Sequence, residues 1–304
     1  MQKIFWCCLL SVVLFSVSFA QSDSLARVNY RNRKLLVVSA TAALAATSLV
    51  GLHEIWFSQY NTGEFHFFND NQEWNQMDKC GHAFTNYQTS RLMMSAFEWA
   101  GFTEKQKLYV GGSVGFAYMT LVEIMDGYSE GWGFSWGDMV ANLAGTTLAI
   151  SQEAVWKQHR IVIKYSYARS GLAQYNPSLL GENQYSRLIK DYNAQTYWLS
   201  VNPSMFIKKK GSRFPKWLNL AIGYSAYGML GARYNNVIAQ DEDGTVYAMN
   251  RERRYYLSVD VDLTRIPCRS KALKALLSVV NILKFPAPAL ELSGTKFRFY
   301  GIYY

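Results

Sequence analysis

Apolar and polar positions change their spacing once along this chain. Up to about Ser151 the apolar residues fall in helical blocks, and beyond it they alternate. From Leu35 to Leu52 no charged side chain occurs, yet Ser39, Thr41, Thr47 and Ser48 interrupt the run, so it suits a membrane-spanning helix and a packed core helix equally. An aromatic, polar loop follows from His53 to Met77. Asp78 is then placed to cap a helix over about Lys79 to Trp99. Thr103-Glu104-Lys105-Gln106 reads as a capping box that opens a third helix ending near Asp126. Ser135-Trp136-Gly137-Asp138 reads as a second box, opening a fourth helix through about Ser151. Four helices with short connections predict an antiparallel bundle.

After Ser151, Leu218, Leu220, Ile222 and Tyr224 alternate with small or polar residues, as do Leu257, Val259, Val261 and Leu263. Weaker strand patterns lie at residues 161–167, 197–201, 246–249, 290–292 and 297–303, with turn signals at Asp241-Glu242-Asp243-Gly244 and Ser293-Gly294. One stretch breaks the rule: over Ser270 to Lys284, Leu273, Leu276, Leu277, Val280 and Leu283 make one side of a basic amphipathic helix. The fold class is therefore α+β, an antiparallel bundle of about four helices followed by an antiparallel β-rich half. A lipid-facing barrel and a soluble barrel or sandwich both give this alternation.

Charge separates the same two parts. Residues 21–151 hold 8 Lys/Arg against 12 Asp/Glu, and residues 152–304 hold 22 against 10, net −4 and +12. The division predicts a helical region over 21–151 and a basic β-rich region over 152–304. A mean hydropathy of −0.09 argues against a many-helix transporter. Residues 1–20 have Lys3 as their only charge, an apolar run from Ile4 through Phe15, and Ser18-Phe19-Ala20, the pattern of an export signal cleaved after Ala20. Export argues against nucleic acid as the partner of the basic half and for a membrane, an anionic envelope lipid or a glycan. Cys7 and Cys8 fall within the signal, and Cys80 and Cys268 remain as either a disulfide pair or two free thiols.

The chemistry is concentrated in the helices. Asp78 and His82 are four apart on one helix, with Thr85, Asn86 and Thr89 continuing the polar stripe. Glu123 and Asp126 share a face of the next, and Asp138, Asn142 and Gly145 a face of the fourth, where the glycine admits a close neighbour. Burying unpaired carboxylates costs several kcal/mol, so they need Lys79, His82, a cation or a polar ligand. Read singly, Asp78 and Asp138 are caps, His82 a core histidine, and Glu123 and Asp126 solvated ends. Read together, they form a candidate centre, with Lys79, Ser135 and Asn142 as binding groups and a hard divalent cation as its metal.

The run Asp78-Lys79-x-Gly81-His82-Ala83-Phe84, then Glu123-x-x-Asp126, then Gly133 to Asp138 followed by Ala141, Asn142 and Gly145, resembles the YfiM-like family of predicted periplasmic lipoproteins. It is similar, more distantly, to the VanZ-like membrane proteins. The resemblance covers about Asn75 to Ile150 and implies a periplasmic setting, with Asp78, Lys79, His82, Glu123, Asp126, Ser135, Asp138, Asn142 and Gly145 as the matching positions. The family's lipidation cysteine has no counterpart after Ala20.

Two functions follow as expectations. One is an exported, membrane-associated envelope protein that binds envelope lipid or glycan, motivated by the basic half and by Lys208-Lys209-Lys210. The other is a hydrolase or transferase on such a lipid or glycan, with His82 as general base and Glu123, Asp126 and Asp138 orienting it. No Gly-x-Ser-x-Gly elbow, P-loop, dinucleotide fingerprint or His-Glu-x-x-His accompanies them.

Overall fold

The computed structural model describes residues 29–57, 60, 62–206, 215–235, 239–240, 246–247 and 249–304. The export signal, Lys208-Lys209-Lys210 and the turn at Asp241–Gly244 lie outside the described residues. Along the chain the α-helices are α1 (Tyr30–Leu52), α2 (Met77–Trp99), α3 (Val114–Gly127), α4 (Trp136–Trp156), α5 (Pro177–Leu180), α6 (Gln184–Lys190) and α7 (Lys271–Val280). The strands are β1 (Ile161–Tyr167), β2 (Gln195–Val201), β3 (Leu218–Tyr227), β4 (Ala239–Gln240), β5 (Val246–Tyr247), β6 (Glu252–Val261), β7 (Ala287–Ser293) and β8 (Lys296–Tyr303). The α+β class read from the sequence is the class observed, with the long helices first and the strands after them.

The chain divides into two compact units, one built from Met1–Asp70, His82–His159 and Pro267–Val280, the other from Asn71–Gly81, Arg160–Ile266 and Asn281–Tyr304. In the helical unit, Asn29 caps α1 by accepting from the Asn32 N–H. Only Val37 of α1 is buried, packing with Ala96, Phe97 and Ala100, while Leu35 and Val50 stay more than half exposed. That exposure does not fit a packed-core helix. By length and composition α1, and the stretch Gln106–Gly127, are each able to cross a membrane.

The first capping box forms as expected: Thr103 N–H donates to Gln106 Oε1 (3.0 Å) and Gln106 N–H to Thr103 Oγ1 (3.3 Å). The helix it opens starts irregularly, with a π turn at Gln106–Val110 and a 3-10 turn at Gly111–Ser113 before α3. The glycines explain the departure, because a Cβ on Gly112 would lie 2.6 Å from Ile150 Cγ1, so this turn comes closer to α4 than a side chain allows. α4 itself runs five residues beyond the expected Ser151 and stops where Lys157 turns left-handed at φ 53°. α7 is shorter than predicted. It stops at Val280 because Asn281 is buried as the acceptor for Lys164 Nζ and for the Leu263 N–H, both at 2.9 Å.

In the other unit β1, β2, β3, β6, β7 and β8 make one antiparallel sheet in that order. Leu283 forms an isolated parallel bridge with Tyr165 of β1. Among the described residues the sheet is open, with β1 and β8 at its ends, so the closed-barrel form of the prediction is corrected. β4 and β5 pair only with each other.

Register aligns the side chains into cross-strand rows. One face carries Ile163, Leu199, Ile222, Leu257, Leu290 and Phe299, each opposite the next. Two residues along the strands, the same face carries Tyr165, Tyr197, Tyr224, Tyr255, Leu292 and Phe297. The other face carries Lys164, Trp198, Gly223, Tyr256, Glu291 and Arg298. This polar face is the buried one. Lys164 and Asp260 form an ion pair at 2.7 Å with both side chains at 0% exposure. Glu291, also at 0%, accepts from Tyr256 Oη (2.9 Å) and Tyr300 Oη (3.0 Å). The same face also carries an apolar cluster of Trp198, Ala221, Tyr256 and Ala289, and a second cluster lies around Trp74, Met77, Leu172, Leu180, Met229 and Leu230.

Candidate functional site

Gly145 sets up the centre of the helical unit. A Cβ there would sit 2.1 Å from the Ala83 carbonyl oxygen, so α2 and α4 meet backbone to backbone and bring His82 and Asn142 together. His82 Nδ1 lies 3.1 Å from Asn142 Oδ1 and 3.5 Å from Glu123 Oε1. Its Nε2 lies 3.9 Å from Asp138 Oδ1. Asn86 Nδ2 donates to Asn142 Oδ1 (2.5 Å) and to the His82 carbonyl (3.0 Å), and Thr146 Oγ1 donates to Asn86 Oδ1 at 3.4 Å. Glu123, Asp138 and Asn142 are buried, and the His82 side chain is 12% exposed.

The second expected capping box forms by half. Ser135 Oγ accepts from the Asp138 N–H (3.2 Å), but the Ser135 N–H donates to Glu123 Oε2 (3.1 Å) and not to Asp138. A glutamate from the preceding helix thus takes the role the box reserves for its own third residue, which anchors Glu123 with its other oxygen facing the imidazole. Ser135 Oγ in turn donates to Asp70 Oδ1 at 2.6 Å.

Of the residues singled out from the sequence, His82, Glu123, Ser135, Asp138 and Asn142 are therefore gathered in one place within the helical unit. Asp126 sits half-buried at the end of α3, where its carbonyl accepts from the Tyr128 and Ser129 N–H groups. Asp78 and Lys79 belong to the sheet unit, where Asp78 Oδ1 accepts from Tyr192 Oη (2.6 Å) and Asp78 Oδ2 pairs with Lys79 Nζ at 3.5 Å. Burial, and then the Asp78 charge, push the neighbouring Cys80 thiol up to about 11, so it stays a thiol. Cys80 and Cys268 are both free. Asp70, Thr146 and Tyr192 were not among the expected residues. The loop position of Asp70 and the distance of Tyr192 along the chain leave no local pattern to find them by, whereas Thr146 lies four residues beyond Asn142 on the same face.

The helical unit also holds a cavity of about 620 Å³. Leu44 and Ala45 of α1, Leu92 and Ala96 of α2, Val114 and Tyr118 of α3, and Ala275 and Val279 of α7 line it, and Lys274 is the only charged residue in its wall. Arg91 fastens α7 alongside: Nη1 donates to Ser278 Oγ (2.9 Å) and Nη2 to the Ser278 carbonyl (3.0 Å).

Residues 64–153 match the model of a family described as predicted periplasmic lipoprotein (DUF2279). The match spans the loop with Asp70, all of α2 and α3, and α4 as far as Glu153, so it contains all of the His82 centre and none of the sheet beyond it. With the export pattern of the first twenty residues, it identifies the chain as an exported protein of the cell envelope. No curated protein and no solved structure is detectably similar to the chain.

Proposed function

We propose that this envelope protein binds a lipid, holding an apolar chain in the cavity of its helical unit. The observation that carries the reading is the cavity itself. Its volume lies in the range of about 300–1,000 Å³ usual for small-molecule sites, its wall is mainly apolar with hydroxyls at Thr41, Ser48, Thr89, Ser95 and Ser278, and Lys274 suits an anionic headgroup. The predominance of apolar surface favours a lipid chain over a glycan. The finer likeness to YfiM-like and VanZ-like proteins fits a membrane setting and belongs to the same reading.

The test is lipid analysis of the purified full chain. Wild type is expected to carry close to one lipid per chain through detergent exchange, Ala96→Trp to lose it by filling the cavity, and Lys274→Gln to shift the bound class from anionic to neutral. Ala45→Phe fills the same space from α1 and serves if Ala96→Trp does not fold. Lipid content unchanged in a folded Trp or Phe variant refutes the proposal.

A second reading, an enzyme acting on that lipid, rests on the His82 geometry. Nδ1 faces Asn142 Oδ1 and Glu123 Oε1, and Nε2 faces Asp138 Oδ1, so oxygen acceptors flank the imidazole on both edges. In this reading His82 serves as general base for a hydroxyl or water, and its Nε2 with Asp138 Oδ1 offers a divalent cation two donors 3.9 Å apart. Release of fatty acid or headgroup from envelope lipid by wild type, abolished in His82→Gln and reduced in Glu123→Gln, supports it. Equal release by a folded His82→Gln variant rejects it.

A further inference from the structure

The six-stranded sheet is arranged inside out. A sheet that folds in water turns its apolar row inward, because burying it supplies most of the stabilisation. Here the apolar row faces out, with Leu199 46%, Ile222 61%, Leu257 56% and Phe299 72% exposed, while Lys164, Asp260 and Glu291 are fully buried on the opposite face. This is the polarity of a protein wall whose outer solvent is hydrocarbon. We infer that the outer face of this sheet is seated in the lipid of a membrane.

Three features favour lipid over a second protein as what covers it. Tyr255 and Phe297, 48% and 67% exposed, share one register row at a border of the apolar zone, the level of interfacial aromatics, while Tyr165, Tyr197 and Tyr224 of that row are covered by the chain itself. Just past Tyr255, Arg253 follows outward on the same face of β6, and such a cation contributes about 1 kcal/mol of attraction to an anionic leaflet. Between Tyr255 and Val261 the outer positions of β6 are Leu257 and Val259, with no polar or charged group of the kind that specifies protein partners.

Strand length sets the depth. From Tyr224 to Leu218 the apolar face of β3 extends six residues, about 20 Å at the rise of a strand. A spanning strand needs about 9–11 residues, so the wall enters from one side and does not cross. Tyr255 marks the headgroup level, with Leu257 and Val259 of β6 and the neighbouring Ile222 and Leu220 of β3 deeper.

The inference rests on the envelope setting and not on the lipid cavity, and the two fail separately. Because α1 is itself able to hold the chain on a membrane, the test reads the sheet locally. A photo-crosslinking benzoylphenylalanine is placed at Leu257 or at Phe299 in the full chain, in vesicles of phosphatidylethanolamine and phosphatidylglycerol. A third chain carries it at Glu182, an exposed loop position, as the reference. Lipid adducts at least tenfold above the Glu182 level are expected at both sheet positions, and equally so in the Ala96→Trp background. Adducts to a second copy of the chain, or lipid adducts no higher than at Glu182, overturn the inference. Phe299, on the edge strand and already 72% exposed, carries the test if the Leu257 variant does not fold.

Discussion

Replacing Lys164 with methionine strands a carboxylate inside the sheet. Asp260 loses the ammonium 2.7 Å away and keeps the Ser200 hydroxyl on Oδ2 (2.6 Å), the Phe285 N–H on Oδ1 (3.0 Å) and the field of the Lys284 ammonium. The Val261 carbonyl and Asn281 Oδ1 lose their donor as well. With both partners at 0% exposure, no solvent screens the loss, and breaking a buried pair from one side costs about 3–5 kcal/mol. The Lys164→Met, Asp260→Leu double variant removes both charges. It is expected to regain most of that loss, falling short by about 1–2 kcal/mol for the two hydrogen bonds that Asp260 accepted. The measurement is denaturant unfolding of the detergent-solubilised chain for wild type, both single variants and the double, giving the coupling energy directly. A single-variant loss below about 1 kcal/mol, or a double variant as weak as the sum of the singles, refutes the account of a charged interior held by mutual neutralisation.

The remaining expectations concern the helical unit. Gly145→Ala drives a Cβ into the Ala83 carbonyl, which is backbone and cannot yield, so a loss of at least about 2–3 kcal/mol is expected. Gly301→Ala, with nothing within 4 Å, is expected to stay within about 0.5 kcal/mol, and equal unfolding midpoints for the two would contradict the close crossing. His159 is held down to about 3 by burial and then by the Arg91 charge, with Tyr87 Oη 3.2 Å from Nδ1 and Glu153 Oε2 3.8 Å from Nε2. Its folded value lies below its unfolded one, so its stabilising effect is complete above about pH 6.5 and is lost as pH falls toward 3. The slope integrates to at most about 4 kcal/mol, and a His159→Leu chain with the same acid sensitivity as wild type would remove this cause.

Much of the fold was legible because local chemistry and burial agree. The strand over Ile161–Tyr167 shows strict alternation, and the Thr103 box closes on itself. What alternation does not carry is which side of the strand is buried: Leu218, Leu220 and Ile222 announce a strand with an apolar face but say nothing of the medium that face meets. The centre was legible as a set of polar residues on three helices, since charge is scarce there. Its true membership depended on contacts between distant segments. Asp70, for one, enters from a loop through Ser135. Sequence spacing describes one helix at a time, and the grouping is decided by where two helices cross.

That crossing has a consequence for recognition. With bare backbone touching backbone at Gly145 and Ala83, neither rod can roll or slip without a collision, and the imidazole and amide that flank the contact inherit its stiffness. The imidazole and the amide are thus set in place before any partner group meets them, and little ordering entropy is left for such a contact to cost.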